Sequence, residues 1–170
     1  VKLLLSFSGS FLLAILLLEM LPPLYQNGSN QSGYWILGGI LFQNILEFFS
    51  KGAEHGHIHY ATEKRLPLVL LLSLCLHAFF EGMPLAENPE LLWGVSVHKL
   101  PIALVVGLML FKSQVPYGIK IAVLFLFAAM TPLGSFAANF VEKSLIESTL
   151  TPFVVGVLFH ISTTILFESS

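Results

Sequence analysis

Hydrophobic residues occur along this chain in long runs that are separated by short polar segments. A helix needs about 20 apolar residues to cross the hydrocarbon core of a bilayer, and about 17 at the least. Six runs meet or approach this length, at residues 3–24, 34–50, 66–86, 91–111, 117–141 and 152–168. Polar or turn-forming residues lie between them. The pattern predicts an all-α polytopic membrane protein, with about six transmembrane helices in a single transmembrane domain over residues 1–170.

The composition excludes a soluble protein. Hydrophobic residues make up 55% of the chain and charged residues 11%, whereas a soluble domain has about 25% charged residues. Mean hydropathy is +0.83. The formal net charge of −2 leaves no basic surface for a nucleic acid, and a single cysteine, Cys75, supports neither a disulfide framework nor a thiolate metal cluster. We therefore expect the lipid bilayer, and no nucleic acid, as a partner.

Basic residues are distributed unequally between the two ends of the predicted spans. If the N-terminus is cytoplasmic, six of them lie at cytoplasmic ends: Lys2, Lys51, Lys64, Arg65, Lys112 and Lys120. Lys143 alone lies at the outer end of a span, and Lys99 falls inside one. The positive-inside rule favours this orientation, which makes the histidine-containing loop at 51–65 cytoplasmic. The short connections are typical of a bacterial inner-membrane protein.

Ionisable side chains lie inside two consecutive spans. His77 and Glu81 are four residues apart, which places them on one helix face, one turn from each other. His98 lies in the next span. The short connection ENPE makes the two helices antiparallel neighbours, and a rise of roughly 1.5 Å per residue puts Glu81 and His98 at similar depth. Two imidazoles and a carboxylate suit Zn²⁺ and other first-row divalent ions; a structural polar cluster is the alternative.

The histidines outside these two spans suggest other roles. His55, His57 and His59 alternate in the loop at 51–65 and could share one metal ion, although solvated loop residues are the alternative. We interpret His160, in the last span, as an interhelical hydrogen-bonding group rather than a ligand.

Proline and glycine lie near these ionisable groups, where they predict breaks in the helices. Gly82 and Pro84 follow Glu81, and Pro101 follows Lys99. We expect Thr131-Pro132 to interrupt the fifth span. Such breaks are tolerated at membrane depth where the backbone lines a cavity inside the protein.

The segments HAFFEG at 77–82 and HKLPIA at 98–103 resemble the two metal-binding helices of the ZIP family (Zrt/Irt-like divalent-metal transporters), which carry H-N-x-x-[DE]-G and H-x-x-P-[EH]. Further segments resemble the second, third, sixth and seventh helices of the family: SGSFL to EMLP at 8–22, FQNILE at 42–47, TPLG at 131–134 and GVLFH at 156–160. The family fold has eight helices. The resemblance implies helices two to seven, a ZIP-like bundle without its first and last helices.

The resemblance assigns one metal site and removes the ligands of a second. The first site falls on His77, Glu81 and His98. At three positions where family members carry an asparagine, an acid or histidine, and an acid, this chain has Ala78, Ile102 and Thr131. We therefore expect a single mid-membrane site.

Lys99 follows His98 directly, where some binuclear family members have an acidic residue. A lysine at membrane depth is costly unless it is paired. We expect its ammonium to stand in place of the second metal, held by Glu81. The rival interpretation is that Lys99 points away and extends to the membrane surface.

The resemblance implies transport of divalent cations into the cytoplasm, with Zn²⁺, Fe²⁺ or Mn²⁺ as substrate and no cofactor. We do not expect an enzyme, because the HAFFE segment lacks the second histidine of an intramembrane metalloprotease. A membrane metal sensor, a transport-inactive ZIP-like fragment and a haem cytochrome with His77 and His98 as axial ligands are alternatives, and a homodimer is left open. Because metal ligands must be deprotonated, affinity should fall below about pH 6.5.

Overall fold

The computed structural model describes residues 2–26, 31–50 and 68–168, and these residues are almost entirely helical, with no strand among them. Their α-helices are α1 (Lys2–Ile15), α2 (Leu21–Gln26), α3 (Ser32–Ser50), α4 (Leu68–Gly82), α5 (Pro89–Lys112), α6 (Tyr117–Ala138), α7 (Lys143–Leu145) and α8 (Thr151–Glu168). A π-helical turn at Leu16–Met20 joins α1 to α2, and a second at Ile146–Leu150 joins α7 to α8. A 3₁₀ turn at Met83–Ala86 follows α4.

Membrane-length helices dominate this architecture. Of the described helices, five are long and apolar enough to cross a bilayer: Leu3–Gln26, Leu68–Ala86, Glu90–Lys112, Tyr117–Ala138 and Lys143–Phe167. The remaining long helix, α3, carries Gln43, Asn44 and Glu47 in its second half, which lowers its hydropathy. The prediction of an all-α polytopic membrane protein is confirmed, with six long helical units of which five have spanning character.

Only one of the three predicted helix breaks is present. The predicted interruption at Thr131-Pro132 is wrong, because α6 is continuous through Pro132, as α5 is through Pro101. Proline is tolerated inside membrane helices, where neighbouring groups satisfy the carbonyl that it frees. The break expected after Glu81 is present as the 3₁₀ turn at Met83–Ala86.

Helices α3 and α8 cross at glycines from both sides. A Cβ atom added at Gly39 would overlap the carbonyl oxygen of Phe153, and one added at Gly156 would overlap that of Ile36. Backbones can approach this closely only where side chains are absent. The glycines therefore bring the two backbones into direct contact at this crossing.

A second crossing of the same kind joins α4 to α6. A Cβ atom at Gly82 would overlap the carbonyl oxygen of Thr131, and one at Gly134 would overlap that of Phe79. This contact lies directly beside Glu81. It therefore fixes the position of α4 at the level of the predicted metal ligands.

Candidate metal centre

The structure brings the three predicted ligands together in the interior of the bundle. His77 and Glu81 project from α4 and His98 from α5, with exposed fractions of 1%, 0% and 0%. One ligand atom from each lies within 4.8 Å of the others. Nε2 of His77 is 3.0 Å from Oε2 of Glu81, and the two imidazole rings are 6.3 Å apart at 85°.

The connection between the two helices explains this convergence. The 3₁₀ turn at Met83–Ala86 tightens the end of α4, and the side-chain amide of Asn88 donates a hydrogen bond to the carbonyl oxygen of Pro84 at 2.8 Å. The chain therefore reverses within a few residues, and α5 begins at the height where α4 ends. Ligands at similar distances from the turn then face each other, as the spacing predicts.

Lys99 is the fourth polar member of the cluster. Its Nζ atom lies 2.9 Å from Oε1 of Glu81, so this oxygen contacts the ammonium while the other contacts His77. The Lys99 side chain is 24% exposed, and its Nζ atom lies 5.3 Å from the centre of the Phe127 ring, a favourable cation–π distance. The predicted pairing with Glu81 is observed, and the rival interpretation, in which Lys99 points away, is wrong.

Comparison with known proteins assigns the chain to a family. The family model described as "ZIP Zinc transporter" matches residues 50–168. The chain belongs to the ZIP zinc transporter family. It is also similar to Protein zntD of Dictyostelium discoideum, at 26% identity over 121 residues, covering 60% of this chain and 18% of that protein. The chain thus spans less than a fifth of the length of this curated relative. No solved structure matches the chain.

The three positions at which the resemblance implies lost ligands are used for packing. Ala78 and Ile102 are buried in one apolar cluster that α4, α5 and α6 form together. Thr131 donates a hydrogen bond from its hydroxyl to the carbonyl oxygen of Ala78 at 3.0 Å. Alanine and isoleucine have no side-chain atom that can bind a metal, and the threonine proton is already engaged.

His160 makes the interhelical bond that was predicted for it. Its Nε2 atom lies 2.6 Å from Oε2 of Glu47, which joins α8 to α3 close to the glycine crossing of the same helices. The two side chains are 18% and 22% exposed. The sequence did not identify Glu47 as the partner, because the two residues are 113 positions apart.

Two further predictions concern the histidine loop and a haem group. The loop at 51–65 with His55, His57 and His59 lies outside the described residues. The haem alternative is disfavoured, because Nε2 of His77, a ring nitrogen that would face the iron, contacts Oε2 of Glu81 at 3.0 Å.

Phe127 is a member of the site that the sequence does not predict. It packs beneath the Lys99 ammonium, but it is one of 15 phenylalanines in the chain. Nothing in the sequence distinguishes it from the other phenylalanines, so only the fold shows its role.

Proposed function

We propose that this chain forms the ion-binding part of a transporter that moves divalent cations, Zn²⁺ foremost, across the membrane into the cytoplasm. The observation that carries the proposal is the convergence of His77, Glu81 and His98 within 4.8 Å in a buried position. Membership of the ZIP zinc transporter family supports divalent-metal transport. Fe²⁺ and Mn²⁺ remain alternative substrates, because imidazole and carboxylate ligands also serve them.

The spacing of the ligands suits a zinc ion. Zinc binds imidazole nitrogen and carboxylate oxygen at about 2.0–2.2 Å, which places ligands of a tetrahedral ion about 3.3 Å from each other. His77 and Glu81 are at 3.0 Å, so a small movement of His98 completes a three-ligand site. The fourth position stays open to water, which favours exchange of the ion over permanent binding.

A buried polar atom without a hydrogen-bond partner also supports a bound ion at this site. In the part of the chain that the structure describes, Nδ1 of His77 is buried and has no hydrogen-bond partner. A buried polar atom without a partner costs about 1–3 kcal/mol. An ion with its remaining water in this space would recover part of that cost.

Lys99 takes the role of a second, permanently tethered cation in this proposal. Its ammonium contacts Oε1 of Glu81 and leaves the other oxygen for the transported ion. The positive charge also repels that ion, which lowers its affinity and favours release. The site therefore carries one metal ion in each transport cycle.

Alternating access supplies the route in this proposal. The ion enters from the outer face, binds the three ligands, and leaves as one group of helices moves against another. The glycine crossings hold α4 with α6 and α3 with α8, so these pairs are the units expected to move as bodies. Bending within a helix is then not required.

Zinc uptake into proteoliposomes tests the proposal. We expect saturable uptake by the wild-type protein and none by the His77→Ala, His98→Ala double variant. His160→Ala is the matched control, since it removes an imidazole from the bundle but not from the site, and its uptake should persist. Equal uptake by all three proteins would contradict the proposal, and zinc binding without uptake would indicate a sensor or a transport-inactive protein.

A further inference from the structure

A cavity of about 670 Å³ opens at the end of the bundle that the positive-inside rule places outside the cell. It lies between α2 with the π-helical turn before it, the α4–α5 connection, and the start of α8 with the π-helical turn before it. Four glutamates line it: Glu19, Glu87, Glu90 and Glu147. These four glutamates and Thr151 define what we call the outer acidic cavity.

Both π-helical turns of the described chain contribute a glutamate to this cavity. Glu19 lies in the turn Leu16–Met20, and Glu147 lies in the turn Ile146–Leu150. A π-helical turn changes the direction in which the following side chains project, and such turns are frequent at functional sites. Two helices that are far apart in sequence are thus distorted at the same cavity.

Thr151 supplies an independent observation. Its side chain lines the cavity and the residue is only 5% exposed. Within the described ranges, its buried hydroxyl has no hydrogen-bond partner, although a threonine inside a helix can bond to the carbonyl of the preceding turn. A buried, unpartnered hydroxyl on the wall of an acidic cavity can serve as an oxygen ligand for a cation or can bind a water molecule.

A lysine already neutralises part of the cavity. Nζ of Lys143 lies 2.7 Å from Oε2 of Glu87 and 3.9 Å from Oε1 of Glu147. Glu19 and Glu90 have no ion pair among the described residues. The carboxylates therefore outnumber the ammonium group, and the cavity keeps an excess of negative charge.

We propose that the outer acidic cavity binds a hydrated divalent cation through oxygen ligands, at a place separate from His77, Glu81 and His98. Carboxylates, a hydroxyl and water are ligands for hard cations such as Mn²⁺, Mg²⁺ and Ca²⁺, and the volume accommodates the ion with water. Lys143 is a tethered competitor for the same carboxylates. Binding does not depend on transport, whereas a role in collecting ions for the deeper site rests on the proposed function.

Terbium luminescence measures this binding directly. Tb³⁺ is a hard, oxygen-preferring ion whose emission is sensitised by nearby tryptophan, and the two tryptophans of the chain, Trp35 and Trp93, follow the cavity-lining residues Ser32 and Glu90 by one helical turn. The protein is titrated with Tb³⁺ in phosphatidylcholine nanodiscs, with empty nanodiscs as background. We expect saturable emission that Mn²⁺ displaces.

Matched variants locate the signal. Glu19→Gln with Glu147→Gln should weaken Tb³⁺ binding at least tenfold. Glu142→Gln, an exposed glutamate outside the cavity lining, should change it less than twofold. An equal loss in both proteins, or no loss in the double variant, would mean adventitious binding to surface carboxylates and would overturn the proposal.

Lys143 and Thr151 provide tests that leave all four carboxylates in place. Lys143→Ala should tighten Tb³⁺ binding about threefold or more, because it removes the competing ammonium; unchanged or weaker binding would contradict the proposal. Thr151→Val keeps the shape of the side chain and should weaken Tb³⁺ binding severalfold. Binding equal to that of the wild type would show that the Thr151 hydroxyl is not a ligand and would contradict this part of the proposal. His98→Ala should leave the emission intact, which separates this result from the fate of the transport proposal.

Discussion

Among the described residues, two contacts join a histidine to a glutamate, and they differ in what surrounds them. His77 and Glu81 lie on one helix, are almost completely buried, and are joined by His98 and Lys99. His160 and Glu47 lie on different helices and are each about one-fifth exposed. The first contact is part of a cluster, whereas the second is a bond between two helices.

The difference shows what turns a polar pair into a candidate site. An imidazole and a carboxylate can satisfy each other with one charge-assisted hydrogen bond, and the His160–Glu47 pair does so at 2.6 Å. Around Glu81, a second imidazole and an ammonium converge on a carboxylate that is 0% exposed. More polar groups than one hydrogen bond requires, all in contact with a buried carboxylate, mark a candidate site for an ion.

Replacing the two glutamates in turn should give the largest difference in zinc affinity between the two pairs. Glu81→Gln removes the carboxylate that both His77 and Lys99 contact, and we expect zinc affinity to fall by at least about 100-fold, more than the loss of an outer-shell partner. Glu47→Gln should change it by less than about threefold. Competition with a zinc chelator measures both affinities, and similar losses would mean that the two pairs are equivalent.

The two glycine crossings provide a second contrast. Gly134→Ala and Gly156→Ala each force a Cβ atom against backbone, which should cost about 1–3 kcal/mol of stability. Only Gly134→Ala should also weaken zinc binding, because its crossing lies beside Glu81. Thermal unfolding and chelator competition measure the two effects. Gly107→Ala is the control, since no atom beyond its own stretch of helix lies within 4 Å of the added Cβ.

Removing the Lys99 ammonium should change zinc affinity in the opposite direction, by raising it. Lys99→Met keeps the length of the side chain but releases Oε1 of Glu81 and removes a repelling charge. We expect zinc to bind about tenfold more tightly, given the size of charge interactions at low effective dielectric. Isothermal titration measures this affinity. Unchanged affinity would show that Lys99 does not compensate the carboxylate.

The smallest effect is expected at the interhelical pair. His160→Ala removes one hydrogen bond inside the membrane, and such bonds contribute about 0.6 kcal/mol on average. Unfolding in detergent should show a loss of this size, with zinc affinity unaffected. A large loss of zinc binding would place His160 in the ion site.

The sequence predicted what depends on spacing along one helix and across one short turn. His77 and Glu81 meet because four residues make about one turn, and His98 joins them because α5 follows a short connection. Lys99 could be paired with Glu81 on the cost of an isolated charge alone. These contacts lie within one helix or across one short connection, so the local geometry of the chain determines them.

Contacts between helices that are distant in sequence could not be predicted in the same way. The crossing of Gly39 with Gly156, the partner of His160 and the ring beneath Lys99 all depend on which helices become neighbours. The π-helical turns at Glu19 and Glu147 have no sequence signature. Continuity of α6 through Pro132 also depends on its neighbours, since a proline signals a break unless packing compensates for it.

X-ray absorption at the zinc edge tests the central claim most directly, with less than one equivalent of Zn²⁺ bound to the protein. We predict nitrogen and oxygen neighbours at about 2.0–2.2 Å, with the outer-shell scattering of two imidazoles in the wild type and of one in His98→Ala. A spectrum that shows two imidazoles in both proteins would contradict the account, because the ion would then be bound by histidines elsewhere in the chain.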